Sequence, residues 1–152
     1  FQDLIVQAAT GFVTVGVAGT ENIIGSLNGV FFTDANTSKP TFANHLLAAN
    51  GASDIVALVN DSPLQQYEVR SNNAGASAQA DVGATADIAY TAGSTSNFVS
   101  RCTLDDATVN VAVQQLKIIG VSRDPENNDL TSANVVWRVI INQTAFGDTS
   151  GV

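Results

Sequence analysis

The chain has little with which to do chemistry. Its 152 residues include one cysteine, one histidine, one tryptophan and no methionine. A lone Cys102 closes no intrachain disulfide, so an oxidising folding compartment is not implied. His45 has no second imidazole with which to complete a zinc site, and Cys102 is the only thiolate candidate. A Cys102–His45 dyad would require the two to meet in space, and nothing beside either residue marks the thiol as activated. There is no Gly-x-Ser-x-Gly elbow, no Walker loop and no dinucleotide fingerprint. Without a paired acid–base set, neither an enzyme nor a cofactor is expected.

Positive charge is also scarce. Six Lys and Arg face fourteen Asp and Glu, for a net charge of -8. Binding to a phosphate backbone needs clustered cations. Lys39, Arg70, Arg101, Lys117, Arg123 and Arg138 are scattered along the chain. Nucleic acid is therefore excluded as an expected partner, and so is an anionic membrane surface. No apolar run reaches the roughly 18 residues that span a bilayer. Charged residues amount to 13%, about half the usual share, so Asn, Gln, Ser and Thr must supply most of the polar surface.

What is present reads as strands. Hydrophobic residues make up 45% of the chain. They fall in short runs rich in Val and Ile, bounded by Gly, Asn, Asp or Pro. The pattern predicts strands over Asp3–Ala8, Phe12–Ala18, Ile23–Thr33, Thr41–Leu47, Asp54–Asn60, Gln65–Arg70, Ala86–Tyr90, Arg101–Leu104, Gln115–Ser122 and Val135–Asn142. About ten short strands at this spacing imply an all-β, single-domain sandwich or small barrel over residues 1–152. Helical signals are weak. Asp61-Ser62-Pro63-Leu64 offers one short turn, and the β-branched residues within Leu104–Leu116 favour an extended path. The Ala-, Gly-, Ser- and Asn-rich stretch Asn72–Thr85 reads as a flexible loop or as a closely packed pair of small-residue strands.

The remaining constellations have ordinary readings. Alternation places Ala43, His45 and Leu47 on one strand face, where a lone His is a structural or interface residue. Asp105-Asp106 reads as a solvated turn with its carboxylates on opposite faces. Arg123–Asp129 gathers several oxygen ligands, so calcium is considered. The loop fails the EF-hand pattern, with no Gly at the sixth position and no Glu at the twelfth, and no metal is assigned. Asn36-Thr37-Ser38 and Asn142-Gln143-Thr144 match the glycosylation sequon, a pattern common by chance in such a composition. Trp137 reads as core. Phe98, in the polar turn Ser94–Ser100, is the first choice for an exposed anchor.

Several segments in order resemble a family. They are Gly29-Val30-Phe31-Phe32-Thr33-Asp34 with Ser38-Lys39-Pro40-Thr41-Phe42, then Ser53-Asp54-Ile55-Val56-Ala57-Leu58-Val59-Asn60-Asp61-Ser62-Pro63. Ala86-Asp87-Ile88-Ala89-Tyr90-Thr91-Ala92-Gly93-Ser94, Leu116-Lys117-Ile118-Ile119-Gly120-Val121 and the Pro-Glu-Asn loop at 125–127 follow. This order resembles small decoration, or cement, proteins encoded beside the major capsid protein of tailed bacteriophages. The resemblance implies a virion structural protein on the outer capsid surface, made in the host cytoplasm and partnered by the major capsid protein. By analogy it also implies a homo-oligomer, with a trimer favoured. Members carry an upstream arm, which is expected before Phe1, and Gln2 stands where their Gly would be. The expected contacts are Phe1 and Leu4 at the start, Asp34, Asn36 and Lys39 in the loop, and Phe98. Another virion component (tail or head–neck) and a carbohydrate-binding or adhesin β-module are the alternatives.

Overall fold

A computed structural model describes residues 2–47, 51–73, 75–110, 113–127 and 129–146. Among these residues eleven strands follow one another: β1 (Leu4–Gln7), β2 (Val13–Val15), β3 (Ile23–Thr33), β4 (Pro40–Ala43), β5 (Val56–Asn60), β6 (Gln66–Arg70), β7 (Thr85–Ala86), β8 (Ile88–Ala89), β9 (Thr103–Leu104), β10 (Leu116–Val121) and β11 (Val136–Ile141). The fold is all-β. Its only helical pieces among the described residues are 3-10 turns at Gln79–Asp81 and Asp106–Thr108. A five-stranded sheet is built on β3, a four-stranded sheet runs β6-β11-β10-β7, and β8 and β9 form a small pair. None of these sheets closes on itself, so the barrel alternative does not form.

The length of β3 organises the first sheet. Ser26 pairs with Leu4 on one edge and Asn60 on the other, while Phe31 pairs with Phe42 and Val56. Strands β1 and β4 therefore lie end to end along one edge of β3, and β5 lies along the other. The first half of β3 belongs to the core. Leu4, Val6 and Ile23 join Leu116, Ile118, Trp137, Val139 and Ile141 of the second sheet in one buried cluster, closed by Ala86, Ile88 and Leu104. The second half of β3, with β4 and β5, extends from that cluster as a three-stranded arm.

Gly25 marks the close approach of the end of β5 to β3. A Cβ there would sit 1.9 Å from the backbone oxygen of Asn60, so only glycine lets β5 approach. Asp87 marks a second junction. The run Ala86–Tyr90 was expected to be one strand, yet β7 pairs with β10 and β8 pairs with β9. Between them the Asp87 N–H donates to Thr108 Oγ1 at 2.8 Å, its C=O accepts from the Asp105 N–H at 2.9 Å, and its carboxylate accepts from the Gln115 N–H at 3.2 Å. These contacts turn the chain from one sheet into the other.

Three further expectations are corrected. Strand β4 stops at Ala43, so His45 lies beyond the ladder rather than on a strand face. The Leu104–Leu116 segment is not extended throughout: Asp105 caps the 3-10 turn by accepting from the Ala107 N–H at 3.2 Å. The described part of Asn72–Thr85 is neither a strand pair nor a free loop. The Asn72 N–H donates to the Leu104 C=O at 2.8 Å, and the Gly83 N–H donates to the Ile118 C=O at 2.8 Å, pinning both ends.

Candidate interaction site

Cross-strand register gives the arm one apolar face. Phe42, Phe31 and Val56 form a row across β4, β3 and β5, and Leu58 opposes Gly29 in the next same-face row. The ring of Phe42 leans diagonally over Gly29, where a Cβ would come within 2.6 Å of Cζ. These four side chains stay open to solvent: Phe42 at 60%, Val56 at 53%, Phe31 at 45% and Leu58 at 42%. On the opposite face Val30 and Phe32 are buried. The period of two thus separates a covered face from a bare one. The four side chains together make an exposed apolar patch on this face.

The tip of the arm is stiffened by carboxylates. Asp34 Oδ1 accepts from the Asn36 N–H at 3.0 Å, the Thr37 N–H at 2.8 Å and the Thr37 hydroxyl at 3.0 Å. These bonds, led by the Thr37 amide, lower the Asp34 pKa. Asp54 grips the end of β3 through the Thr33 hydroxyl at 2.6 Å and the Thr33 N–H at 3.0 Å, which lower its pKa in the same way. Asn36 and Lys39 are exposed. Asp34, expected as a contact, is committed to hydrogen bonds within its own loop.

The turn holding Phe98 repeats that loop. The Asp34 N–H donates to the Lys39 C=O at 3.0 Å and the Ser38 N–H donates to the Asp34 C=O at 2.8 Å. Equivalently, the Ser94 N–H donates to Val99 at 3.1 Å and the Phe98 N–H to Ser94 at 2.9 Å. Ser94 Oγ accepts from the Ser96 and Asn97 amides as Asp34 does from its own loop. Ser38 and Phe98 occupy the same left-handed position, at φ 55 and 57. Phe98 is not the exposed anchor expected of it. Its half-buried ring stacks on His45 with centroids 3.5 Å apart and planes 8° apart. Asn44 Nδ2 donates to the Asn97 C=O at 3.4 Å and fastens the turn beside the stack.

The remaining expected contacts fare differently. Leu4 is 9% exposed and belongs to the core, because β1 lies between β2 and β3. Phe1 lies outside the described residues. Cys102 and His45 partner with different groups: the thiol donates to Asp3 Oδ1 at 3.5 Å, and His45 Nδ1 lies 2.7 Å from Asn44 Oδ1. Burial pushes the Cys102 pKa up, away from thiolate chemistry.

Among the described residues no three His, Cys, Asp or Glu side chains come together as metal ligands would. In the 123–129 loop, Asp124 Oδ1 accepts from the Glu126 N–H at 3.0 Å, and Asp129 Oδ1 takes the Thr131 hydroxyl at 2.6 Å. Asn128 is outside the described residues.

Two buried polar residues went unread in the sequence. Asp106 is 9% exposed and accepts a hydrogen bond from Ser71 Oγ, so it is not the solvated residue expected at that turn. Desolvation raises its pKa, against the lowering effect of Ser71. Gln115 is fully buried, with its amide spent on Ile88, Val17 and Thr20. No helix among the described residues is long and apolar enough to cross a membrane. Comparison with family models, curated proteins and solved structures finds no match.

Proposed function

We propose that the chain is a virion structural protein, a decoration or cement protein on the outer surface of a tailed-phage head. It binds the major capsid protein through the apolar face of the arm and stabilises contacts between capsid subunits. The observation that carries this reading is the bare row Phe42–Phe31–Val56 on a stiff three-stranded arm. The order of segments resembling such proteins supplies the identity of the partner. Exposed aromatic and aliphatic anchors rimmed by polar loops are the anatomy of a contact patch. A net charge of -8 keeps the protein from competing for the packaged genome. Repetition of one modest contact over a shell, in a trimer, supplies avidity.

The test adds purified protein to expanded heads that lack it and images them by cryo-electron microscopy. Density on the outer head surface, with the arm against capsid subunits, is the expected result. A raised temperature of head disruption should accompany it, and both effects should fall with Phe31→Ser and Phe42→Ser. Heads that bind nothing, or that bind without change in stability, would overturn the role. Density on the tail instead would assign the chain to another virion part.

A further inference from the structure

Strands β5 and β6 are joined only by residues 61 to 65, a length that ordinarily closes a hairpin. They do not pair. Strand β5 is held by β3 and β6 by β11, and a groove of about 760 Å³ lies between them. Its walls run through consecutive residues, Leu58 to Asp61 on one side and Gln65 to Arg70 on the other. Successive side chains point to opposite faces of a strand. Consecutive residues can all border one groove only where it follows the backbone edge. Core side chains, Leu4, Ile88, Leu116 and Val139, reach its floor. Ser26 Oγ of β3 donates to the Tyr67 hydroxyl at 3.4 Å, tying β3 to the β6 wall.

The first part of the β6 edge is available for bonding. The Ser71 N–H donates to the Val135 C=O at 2.8 Å, and Val69 and Tyr67 oppose Trp137 and Val139. Antiparallel alternation then turns the backbone groups of Val69 and Tyr67 toward β11, and those of Gln66, Glu68 and Arg70 toward the groove. The Gln66 C=O accepts from the Gln65 side chain at 2.8 Å. Among the described residues this edge is unpaired from Gln66 to Val69, while at its far end Ser71 bridges Leu104 of β9 and the Asn72 N–H donates to the Leu104 C=O at 2.8 Å.

We propose that this groove accepts an extended segment of a partner polypeptide, which adds as a strand along β6 and sends alternate apolar side chains to the floor. Main-chain bonds hold such a segment and pockets for alternate residues select it. Charge chooses among occupants. Asp61 and Glu68 outnumber the one cation of the groove, Arg70, on a chain of net charge -8. A segment with Lys or Arg at its outward positions is complementary, whereas a second copy of this chain carries the same negative charge. The inference goes beyond the shell reading and does not depend on it, since it concerns how a strand is held rather than whose strand it is.

The probe is a fluorescent, end-capped peptide, KVTVKVTVK, titrated into the full chain by anisotropy, with amide shifts mapped by NMR. Saturable binding below ~1 mM is expected, with the largest shifts at Gln66 to Arg70. Replacing each lysine of the peptide by glutamate, or N-methylating its alternate amides, should weaken binding by about tenfold or more. Glu68→Pro removes an outward N–H and none of the bonds to β11. It also removes the carboxylate that accepts from Ser122 Oγ at 2.8 Å, so Glu68→Gln is its control, and the proline variant should bind about tenfold or more weaker than the glutamine variant. Absence of binding at ~1 mM, affinity indifferent to N-methylation, or shifts confined to the Phe31–Val56 face would each overturn the proposal. So would sedimentation showing a dimer that the peptide dissolves, since a second copy would then be the occupant.

Discussion

The ring of Phe42 rests on Gly29, which has no side chain to hold it away. A Cβ on Gly29 would meet Cζ at 2.6 Å and Cε2 at 2.8 Å. An aromatic ring laid over a strand glycine shields a weak point of the sheet. Here it also sets the height of the ring on the contact face. Gly29→Ala should displace the ring rather than unfold the arm, at a cost of about 1 kcal/mol. Urea denaturation gives the cost, and the NMR shifts of the Phe42 ring protons report the displacement. If both leave the wild-type values untouched, the ring is not seated there.

Gly25 has no such flexible neighbour. Its missing side chain would collide with the Asn60 backbone, with the carbonyl carbon at 2.7 Å and the oxygen at 1.9 Å. Both strands are held by their own ladders, so neither can step aside cheaply. Gly25→Ala is expected to cost more than about 3 kcal/mol, in the range reserved for severe overpacking. A variant with wild-type stability in urea would mean that the end of β5 does not approach Gly25 of β3 as closely as described.

Phe98 presents a conflict between backbone and side chain. At φ 57 it occupies a region that costs a bulky residue about 1–2 kcal/mol, and its stack on His45 offsets that cost. Two substitutions separate the effects. Phe98→Gly loses the stack and relieves the backbone, whereas Phe98→Ala loses the stack and keeps the strain. The glycine variant should therefore be the more stable of the pair by about 1 kcal/mol. Equal stability by thermal denaturation, or a more stable alanine variant, would remove the left-handed conformation from the account.

These residues show where local pattern suffices. Strand β3 has the bounds read from its apolar run, since Gly, Asn and Asp punctuate it at both ends. The alternation within the arm is local for the same reason, yet none of Phe31, Phe42, Val56 and Leu58 was among the expected contacts, because which face stays bare depends on what packs on the other. The long-range relationships are not. His45 meets Phe98 across 53 residues, and nothing in either neighbourhood encodes the meeting. Leu4 looked like a terminal contact, but β2 and β3 flank β1 and bring it into the core. A five-residue connection between two strands reads as a hairpin, so the gap between β5 and β6 carries no local signal. Buried polar residues such as Gln115 resemble surface ones until the loop that covers them is placed.

Gln115 joins three parts of the chain through one amide. Its Oε1 accepts from the Ile88 N–H at 3.0 Å, and its Nε2 donates to the Val17 C=O at 2.7 Å and the Thr20 C=O at 2.9 Å. The bonds span the loop after β2, the β8 pair and the start of β10. Gln115→Leu would leave the Ile88 N–H and the Thr20 C=O without this partner, while the Val17 C=O keeps the Thr20 hydroxyl at 2.7 Å and the Thr20 N–H at 3.1 Å, for a cost of about 2–5 kcal/mol. Gln115→Glu keeps the shape but sets a carboxylate against two carbonyls. It should be strongly destabilised at neutral pH and partly recover in acid, when the protonated carboxyl can donate once. A pH-independent deficit in urea denaturation would show that lost donation is not the cause.

The Asp106 carboxylate makes a contribution of opposite sign to the exposed carboxylates of the loops. Desolvation is the largest influence on it and raises its pKa above the ordinary value of 3.8, while Ser71 pulls the other way. The folded state thus holds this proton more tightly than the unfolded chain. Its contribution falls as pH rises from the ordinary value through the raised one. Asp34, Asp54 and Asp129 have lowered pKa values, and their contributions fade as pH drops below 3.8 through those lowered values. Asp106→Asn retains an oxygen to accept from Ser71 and removes the titration. Its stability relative to wild type should therefore improve as pH rises from about 4 toward neutrality. A pH series of urea denaturations on both proteins measures that difference. A constant difference across the series would mean that Asp106 titrates alike in the folded and unfolded chains.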